Sequence, residues 1–301
     1  MNKLTAMQVF KRVVELNGFS AAARDLRLSN AAVSKNVNQL EEHLGTQLLI
    51  RTTRKISVTE AGQEYYQRCV AILDDIAEAD LLASATTSEP RGLLRINAPM
   101  SFGILHLAPA ISEFMDRYSQ VDIDLVMNDR VVDLVDNGFD IGLRVGDGLK
   151  DSTLIARTLS PVARAFCAAP SYLKKAGIPR TPDDLQDHVC LTYSLSSQHG
   201  SWPVSNHGET ASVEIEGRYN VNNSLALREA LLQGRGVTLT PTFIVGDDIK
   251  TGRLKSILTA YTPPPQTLYA VYPQARHVSQ KVRVFVDFLA ERFRASPYWD
   301  D

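Results

Sequence analysis

The amino-acid sequence predicts a protein that is α/β overall, with an all-α N-terminal part, one long helix and a two-lobed α/β remainder. Three patterns lead to this prediction. Two short helical stretches meet at a break at residues 27–29, a heptad repeat starts at residue 65, and strand and helix patterns alternate after residue 90. A chain of 301 residues is long enough for two or three packed units.

The N-terminal part begins with two helices that would support a third. The first is predicted at residues 3–16, because Ala6, Phe10 and Val13 fall on one side of it. A shorter second helix follows, with Ser20 as its expected N-cap. Its small alanine side chains allow a neighbouring helix to approach closely.

The third helix carries a polar surface opposite its buried face. Val33, Val37 and Leu40 recur on one side, and Ser29 is the expected N-cap. The side chains on the other side are short enough to approach base edges in a DNA major groove. We assign to it Ser29, Asn30, Ala31, Ser34, Lys35 and Asn38. Any packed three-helix unit shows such a stripe. The helix alone is therefore consistent both with a DNA-reading helix and with an ordinary packed helix.

A basic β-hairpin is predicted directly afterwards, at residues 48–58, where Ile56 and Val58 alternate as in a strand. Three cations surround its tip: Arg51, Arg54 and Lys55. A basic turn on its own is usually a solvated turn. Beside a helix-turn-helix, the same cations indicate a wing that contacts backbone phosphates.

The run FSAAARDLRLSNAAVSKNVNQLEEHLGTQLLIRTTRKISVTEAGQEYY, residues 19–66, resembles the winged helix-turn-helix of LysR-type transcriptional regulators. The resemblance extends over about the first 85 residues. Lys35 stands where the family often carries arginine, and Leu49-Ile50 where an aromatic residue is common. Because lysine lacks the planar fork of arginine, the first departure weakens the expected bidentate reading of guanine.

A long helix is predicted from residue 60, and its apolar residues repeat in heptads. The six positions are Tyr65, Cys69, Ile72, Ile76, Ala79 and Ala83. Such a seam either packs within one chain or pairs two chains. Its place directly after a wing favours pairing, which would present two reading helices to half-sites one helical turn apart. In LysR-type regulators, a linker helix at this place pairs two subunits.

The remainder alternates between strands and helices, which predicts a mostly parallel sheet covered by helices. Strands are predicted at residues 93–97, 121–127, 139–145, 163–168, 189–193, 213–217, 236–239 and 268–272. Helices are predicted at residues 102–118, 131–136, 182–186, 225–233, 242–249 and 279–294. Two lobes of similar size with a ligand space between them would account for this count.

Three segments extend the family resemblance: ILHLAPAISEFMDRY, DRVVDLVDNGFDIGLRVG and CAAPSYLKKAGIPRTPDDLQDHVCL. They resemble the family's effector-binding domain, whose fold is like that of periplasmic-binding proteins, with chain crossings near Ser160 and Pro265. We therefore expect a winged helix-turn-helix at 1–59, a dimerisation helix and hinge at 60–89, and an effector-binding domain at 90–301, with lobe one at about 90–160 and 266–301 and lobe two at about 161–265.

Ligands of open α/β sheets bind at the carboxyl ends of strands, and this rule selects two helix starts. Met100, Ser101 and Phe102 follow the first strand, and Asn222 and Asn223 precede a later helix. Free backbone N–H groups at these helix starts would suit an anion. Both stretches are also ordinary capping sequences. At a strand end, Arg144 is either a clamp for an anionic ligand or a salt-bridge partner. The resemblance places at the cleft Ser101, Asn128, Asp129, Arg144, Tyr193, Ser194 and Asn222.

Composition narrows the class of protein. The net charge is −2, but residues 1–65 hold nine Lys or Arg against six acids, a modest excess that favours two DNA-binding copies side by side. Three widely spaced cysteines fit a reducing compartment. With neither a leader pattern nor a long apolar run, we expect a cytoplasmic protein that does not contact the membrane.

Enzymatic and metal-binding roles find no support in the motifs. The nucleophile elbow, zinc-protease, Walker and paired-cysteine patterns are missing, and a dinucleotide fingerprint fails because Asp151 stands where glycine is needed. His106, His199 and His207 lack ligand spacing, and Cys69 suits a small apolar filler better than a redox sensor. We expect a protein that is not an enzyme and uses no cofactor.

The sequence thus predicts a homo-oligomeric transcription factor that binds promoter DNA and a small effector. The resemblance implies tetramers built as pairs of dimers, and RNA polymerase is a further candidate partner. The alternative is a solute-binding protein whose helix-turn-helix docks another protein. Salt-sensitive, sequence-selective DNA binding separates the two.

Overall fold

A computed structural model describes residues 1–51, 56–83, 89–148, 154–196, 200–206, 209–274, 278–294 and 297–300. The chain divides into two compact units, Met1–Ser88 and Glu89–Asp301. The helices of the first unit are α1 (Lys3–Glu15), α2 (Phe19–Asp25), α3 (Asn30–Leu44) and α4 (Glu60–Ala83).

The cap of α3 agrees with the sequence-based prediction, and the cap of α2 does not. Ser29 Oγ accepts a hydrogen bond from the backbone N–H of Ala32 at 3.1 Å, and α3 ends at Gly45 in the left-handed conformation. Helix α2 begins at Phe19 with Gly18 as its N-cap, so the capping role predicted for Ser20 is wrong.

The predicted wing is present as two antiparallel strands, β1 (Leu49–Arg51) and β2 (Ile56–Val58). Helix α3 anchors it, because the Oε1 atom of Glu41 accepts hydrogen bonds from the backbone N–H groups of Leu48 at 2.9 Å and Leu49 at 3.0 Å. The wing is therefore held at a fixed place beside α3. Arg54 and Lys55, two of the predicted phosphate contacts, lie outside the described residues, as does the side chain of Arg51.

The members of the heptad repeat of α4 differ in their burial. Its first two members face the core of their own unit, since Cys69 is fully buried and the ring of Tyr65 lies 5.9 Å from that of Phe10. Ile72 and Ile76 remain 46% and 36% exposed. The prediction of one continuous pairing seam is therefore wrong for Tyr65 and Cys69, because core packing at the start of α4 occupies them.

A glycine allows α4 to approach the wing. A Cβ atom at Gly62 would lie 2.0 Å from the backbone oxygen of Leu48. We expect Gly62→Ala to lower the free energy of unfolding by about 1–3 kcal/mol through overpacking, although alanine is the better helix former by about 1 kcal/mol. Urea denaturation followed by circular dichroism measures this. The exposed control Gln63→Ala should stay within about 0.5 kcal/mol, and a Gly62→Ala protein as stable as the parent would contradict the close approach.

The second unit contains both sheets and helices. Its strands are β3 (Gly92–Ala98), β4 (Val121–Met127), β5 (Ile141–Gly146), β6 (Leu154–Val162), β7 (Arg164–Ala168), β8 (Cys190–Tyr193), β9 (Ser201–Asn206), β10 (Glu209–Glu214), β11 (Gly217–Val221), β12 (Val237–Pro241), β13 (Lys255–Ile257) and β14 (Gln266–Pro273). Its helical segments are α5 (Met100–Phe102), a π-helical turn (Gly103–Leu107), α6 (Ala108–Arg117), α7 (Pro170–Ala176), a 3-10 helix (Pro182–Asp187), α8 (Ser224–Leu232), α9 (Thr242–Lys250) and α10 (Gln280–Phe293).

Two five-stranded sheets organise this unit. One has the order β4-β3-β5-β14-β6 and the other β11-β8-β12-β7-β13, while β9 and β10 form a separate hairpin. We call the parts built on these sheets the first and the second lobe. In each sheet two pairings are parallel and two antiparallel, so the prediction of a mostly parallel sheet is wrong. Strand β6 continues through Ala163 into β7 of the other sheet, and β14 returns to the first sheet. Strands β7 and β14 each pair antiparallel with both of their neighbours.

Two further sequence-based predictions fail. Residues 131–133 have no regular structure and residues 134–136 form a turn, so the predicted helix is wrong; of its apolar residues Leu134 is buried, whereas Val131 and Val135 are 83% and 53% exposed. The strand predicted at 213–217 instead covers the end of β10 and the start of β11. No helix in the described parts of the chain is both long and apolar enough to cross a membrane.

Candidate functional site

The polar side of α3 forms an exposed surface. Its opposite side buries Val33, Val37 and Leu40 in the core of the first unit, which fixes the rotation of the helix about its axis. The outward side presents Ser29, Asn30, Ala31, Lys35 and Asn38 as exposed residues, with Ser34 half-buried beside them. Five of the six residues assigned to this surface are therefore exposed, and their contact with base edges stays a prediction.

A cavity of about 630 Å³ in the second unit is lined by both lobes. This volume falls within the range of small-molecule sites. Of the predicted effector-binding residues, the cavity is lined by Ser101, Phe102, Asn128, Asp129, Arg144 and Tyr193. Met100, Ser194, Asn222 and Asn223 are not among its lining residues.

Arg144 is one of the charged residues that line the cavity. Its Nη1 donates hydrogen bonds to Asn97 Oδ1 at 2.7 Å and to the carbonyl of Leu143 at 2.8 Å, and its Nη2 donates to the carbonyl of Val132 at 3.3 Å. Burial lowers the pKa of this guanidinium from its ordinary value. All three acceptors are neutral, and within the described parts of the chain no carboxylate lies in salt-bridge range. A salt-bridge role for Arg144 is therefore not seen in these residues.

Ser101 offers a second polar group. The residue is 5% exposed, and its Oγ has no hydrogen-bond partner among the described residues. A buried hydroxyl without a partner is costly, so it favours a ligand that supplies one. Phe102, the next residue, is fully buried, which fixes the backbone that carries this hydroxyl.

The backbone donors at the two helix starts are already engaged. The N–H of Met100 donates to Asp129 Oδ1 at 2.7 Å. The N–H groups of Leu225 and Ala226 donate to Asn223 Oδ1 at 3.0 and 3.4 Å. The prediction that free N–H groups there would receive an anion is therefore wrong for these three donors. Side chains of the protein itself, those of Asp129 and Asn223, occupy these three donors.

Sequence reasoning missed two further cations that line the cavity. One is the exposed Arg130, and the other is the half-buried Arg164. Its Nε and Nη2 donate to the carbonyl of Pro264 at 3.0 and 2.7 Å. Burial lowers the pKa of this guanidinium, and the charge of Asp147 partly offsets the effect. No local signal could have found Arg164, because its place follows from the β6–β7 crossing and not from the end of a predicted parallel strand.

An aromatic cluster lies behind the cavity wall. The rings of Phe102 and Phe243, which both line the cavity, are 5.3 Å apart and edge-on, and Trp299 packs against both. His106 Nε2 lies 2.9 Å from the carbonyl of Phe243, so that nitrogen carries the proton, and Nδ1 accepts from the hydroxyl of Tyr298 at 2.7 Å. Burial lowers the pKa of His106.

Histidines and cysteines form no metal-binding group in the part of the chain that the structure describes. His199 and His207, singled out in the sequence, lie outside that part. Cys69, Cys167 and Cys190 are buried free thiols. Burial raises the pKa of Cys69 to about 11, which keeps the thiol protonated and agrees with its role as an apolar filler.

Two family models match the chain. Residues 4–63 match a bacterial regulatory helix-turn-helix protein of the lysR family, and residues 87–294 match a LysR substrate binding domain. An HTH-type transcriptional regulator of Haemophilus influenzae is 40% identical over 282 residues, which cover 94% of this chain and 98% of that protein. The HTH-type transcriptional activator AaeR of Escherichia coli is 34% identical over 94% of its length and 97% of this chain.

Solved structures agree with these relatives. The structure of CrgA, a LysR-type transcriptional regulator from Neisseria meningitidis, is similar with a TM-score of 0.63 and 34% sequence identity. The alignment covers 95% of this chain and 97% of that one. The likeness therefore extends over both units of the fold.

Proposed function

Since the chain belongs to the LysR family of transcriptional regulators, we propose that it binds promoter DNA as an oligomer and responds to a small anionic effector held in the cavity. The observation that carries the effector part is the half-buried Arg144 guanidinium, whose described partners are all neutral. A carboxylate or similar anion would supply the missing charge. The unpartnered hydroxyl of Ser101 supports the same chemistry.

The DNA part of the proposal rests on the exposed side of α3. Asn30, Ala31, Ser34, Lys35 and Asn38 would present the reading surface, with Ser29 at the start of the helix. Anchoring by Glu41 holds the wing beside α3, so that Arg51, Arg54 and Lys55 would reach the neighbouring backbone phosphates. Two such domains would span two half-sites, as a dimer or as a tetramer of paired dimers.

Fluorescence anisotropy tests DNA binding directly. The purified chain is titrated onto labelled DNA from upstream of its own gene and onto a scrambled duplex, over a series of salt concentrations. We expect selective binding whose affinity falls steeply with salt, because phosphate contacts release counterions. Equal and weak binding to this duplex, to the scrambled control and to genomic fragments in a selection experiment would overturn the proposal.

Lys35 should carry part of the base reading. We expect Lys35→Ala to weaken binding to the specific duplex by roughly 5–150-fold, as loss of a contact worth about 1–3 kcal/mol would. Binding to scrambled DNA should change much less. The matched control is Lys174→Ala, which removes the same charge from an exposed position of α7. Equal losses on both duplexes would assign Lys35 to phosphate contact instead of base reading.

A solute-binding protein with a protein-docking helix-turn-helix is the alternative predicted from the sequence. The relatives reported above are named transcriptional regulators, and they match across both units, which does not favour this alternative. Contact with RNA polymerase would follow if the chain activates transcription. The anisotropy experiment separates the two functions, because a solute-binding protein has no reason to select one DNA sequence.

A further inference from the structure

Asp129 joins the two lobes beside the cavity. It follows β4 in the first lobe, and its Oδ1 accepts the backbone N–H of Met100 from the same lobe at 2.7 Å. Its Oδ2 accepts from the Nδ2 of Asn223 at 3.3 Å. Asn223 follows β11 and precedes α8, so it belongs to the second lobe. One carboxylate therefore receives one donor from each lobe.

The orientation of the Asn223 amide is fixed by its other end. Its Oδ1 accepts hydrogen bonds from the N–H groups of Leu225 and Ala226, the second and third residues of α8. The Nδ2 must then point away from α8 and toward Asp129. The bond between the lobes consequently has a set direction, from amide donor to carboxylate acceptor.

Electrostatics also place Asp129 against the second lobe. The pKa of Tyr193 in that lobe is raised mainly by burial and to a smaller extent by the negative charge of Asp129. Among the described residues, no Lys, Arg or His lies in salt-bridge range of Asp129. Its carboxylate is balanced by hydrogen-bond donors rather than by a cation, so losing either donor leaves a cavity-lining charge poorly satisfied.

We propose that the Asp129–Asn223 hydrogen bond is a latch that holds the lobes at the spacing seen in this structure, which makes Asp129 a positioning residue of the cavity. By accepting from Met100 and Asn223, it also withdraws these two donors from an anionic ligand in the cavity. A role of the latch in regulation rests on the proposed effector function. The latch itself does not depend on DNA binding.

Reversing the direction of the bond tests the latch. Asn223→Asp keeps an N-cap acceptor for α8, since aspartate caps as well as asparagine, but it replaces the donor toward Asp129 with a second carboxylate. The full chain is unfolded by heat while tryptophan fluorescence is followed; its two tryptophans, Trp202 and Trp299, both lie in the second unit. We expect the midpoint of Asn223→Asp to fall by roughly 3–6 °C.

Adding Asp129→Asn should restore the bond in the opposite sense. The amide placed at position 129 would still accept from Met100 through its carbonyl oxygen, and its N–H would donate to the new carboxylate at position 223. We expect Asp129→Asn alone to lower the midpoint, because two amide donors then face each other. The pair Asp129→Asn/Asn223→Asp should recover at least half of the loss caused by Asn223→Asp. A role limited to local folding would make the losses add.

A matched control removes a carboxylate from the same loop. Asp133→Asn changes an exposed residue whose Oδ1 accepts from the N–H of Asp136, and asparagine can keep that bond. Added to Asn223→Asp, it should recover nothing. The proposal is overturned if Asn223→Asp leaves the midpoint unchanged or if the reversed pair shows additive losses. If the parent chain did not bind DNA selectively, the proposed function would be refuted, but the result of this unfolding experiment would still stand.

Discussion

Replacing both Ile72 and Ile76 by glutamate is expected to convert the oligomer into monomers and to lower specific DNA affinity by roughly 100-fold or more. These two side chains are exposed at heptad spacing on α4, directly after the part of the helix that packs on its own core. A pair of chains would bury them, and charges would then face each other without water. Size-exclusion chromatography with light scattering measures the assembly, and anisotropy measures DNA affinity.

The control for this double variant adds the same charges to another face. Gln63→Glu/Ala71→Glu changes exposed residues of α4 that lie outside the heptad seam. It should leave both mass and DNA affinity near those of the parent. If the Ile72→Glu/Ile76→Glu protein keeps the parent's mass, the pairing role of α4 is wrong, and the exposed isoleucines need another explanation.

Arg144→Ala is expected to abolish most of the effector response while leaving DNA affinity intact. Removal of a charge-assisted hydrogen bond to a bound anion costs about 1.5–3 kcal/mol, or roughly 10–150-fold in effector affinity. The change is measured by the rise in melting temperature that a panel of small carboxylates gives to the parent chain and to the variant. Ser101→Ala should weaken the same response less, because it removes one neutral hydroxyl.

Two further variants separate the role of the Arg144 charge from that of its geometry and from a general loss of surface charge. Arg144→Lys keeps the charge but loses the planar fork, so its response should fall between those of the parent and the alanine variant. Arg157→Ala removes an exposed arginine that pairs with Asp287 on the surface and should change nothing. A parent-like response of Arg144→Ala to a carboxylate that stabilises the parent would contradict the site assignment.

The first unit could be predicted closely because its signals are local. Cap residues, helical spacing and the wing are read within a few positions, and Ser29 and the buried residues of α3 agree with the structure. The assignment of Tyr65 and Cys69 to a pairing seam is wrong because the spacing of a seam does not reveal its partner. Core packing within one chain and pairing between two chains leave the same heptad pattern.

The cavity could be predicted only in part. The strand-end rule and the family resemblance found Ser101, Asp129 and Arg144, because each follows or ends a strand that the sequence shows clearly. The same reasoning counts Met100 and Asn223 as ligand groups, whereas the structure uses both in contacts to Asp129. Such contacts join residues far apart in sequence, and no local pattern records them.

The paths of β6–β7 and β13–β14 also determine the order in which the second unit can be built. The sheet formed by β7, β8, β11, β12 and β13 draws on a single stretch of chain, from Arg164 to Ile257. The other sheet needs β14, whose partners β5 and β6 are synthesised well before it, ahead of that whole stretch. Its contact order is correspondingly high, and such long-range pairings form slowly. On the ribosome, the continuous sheet can therefore be complete while the other still awaits β14, the strand that joins β5 to β6.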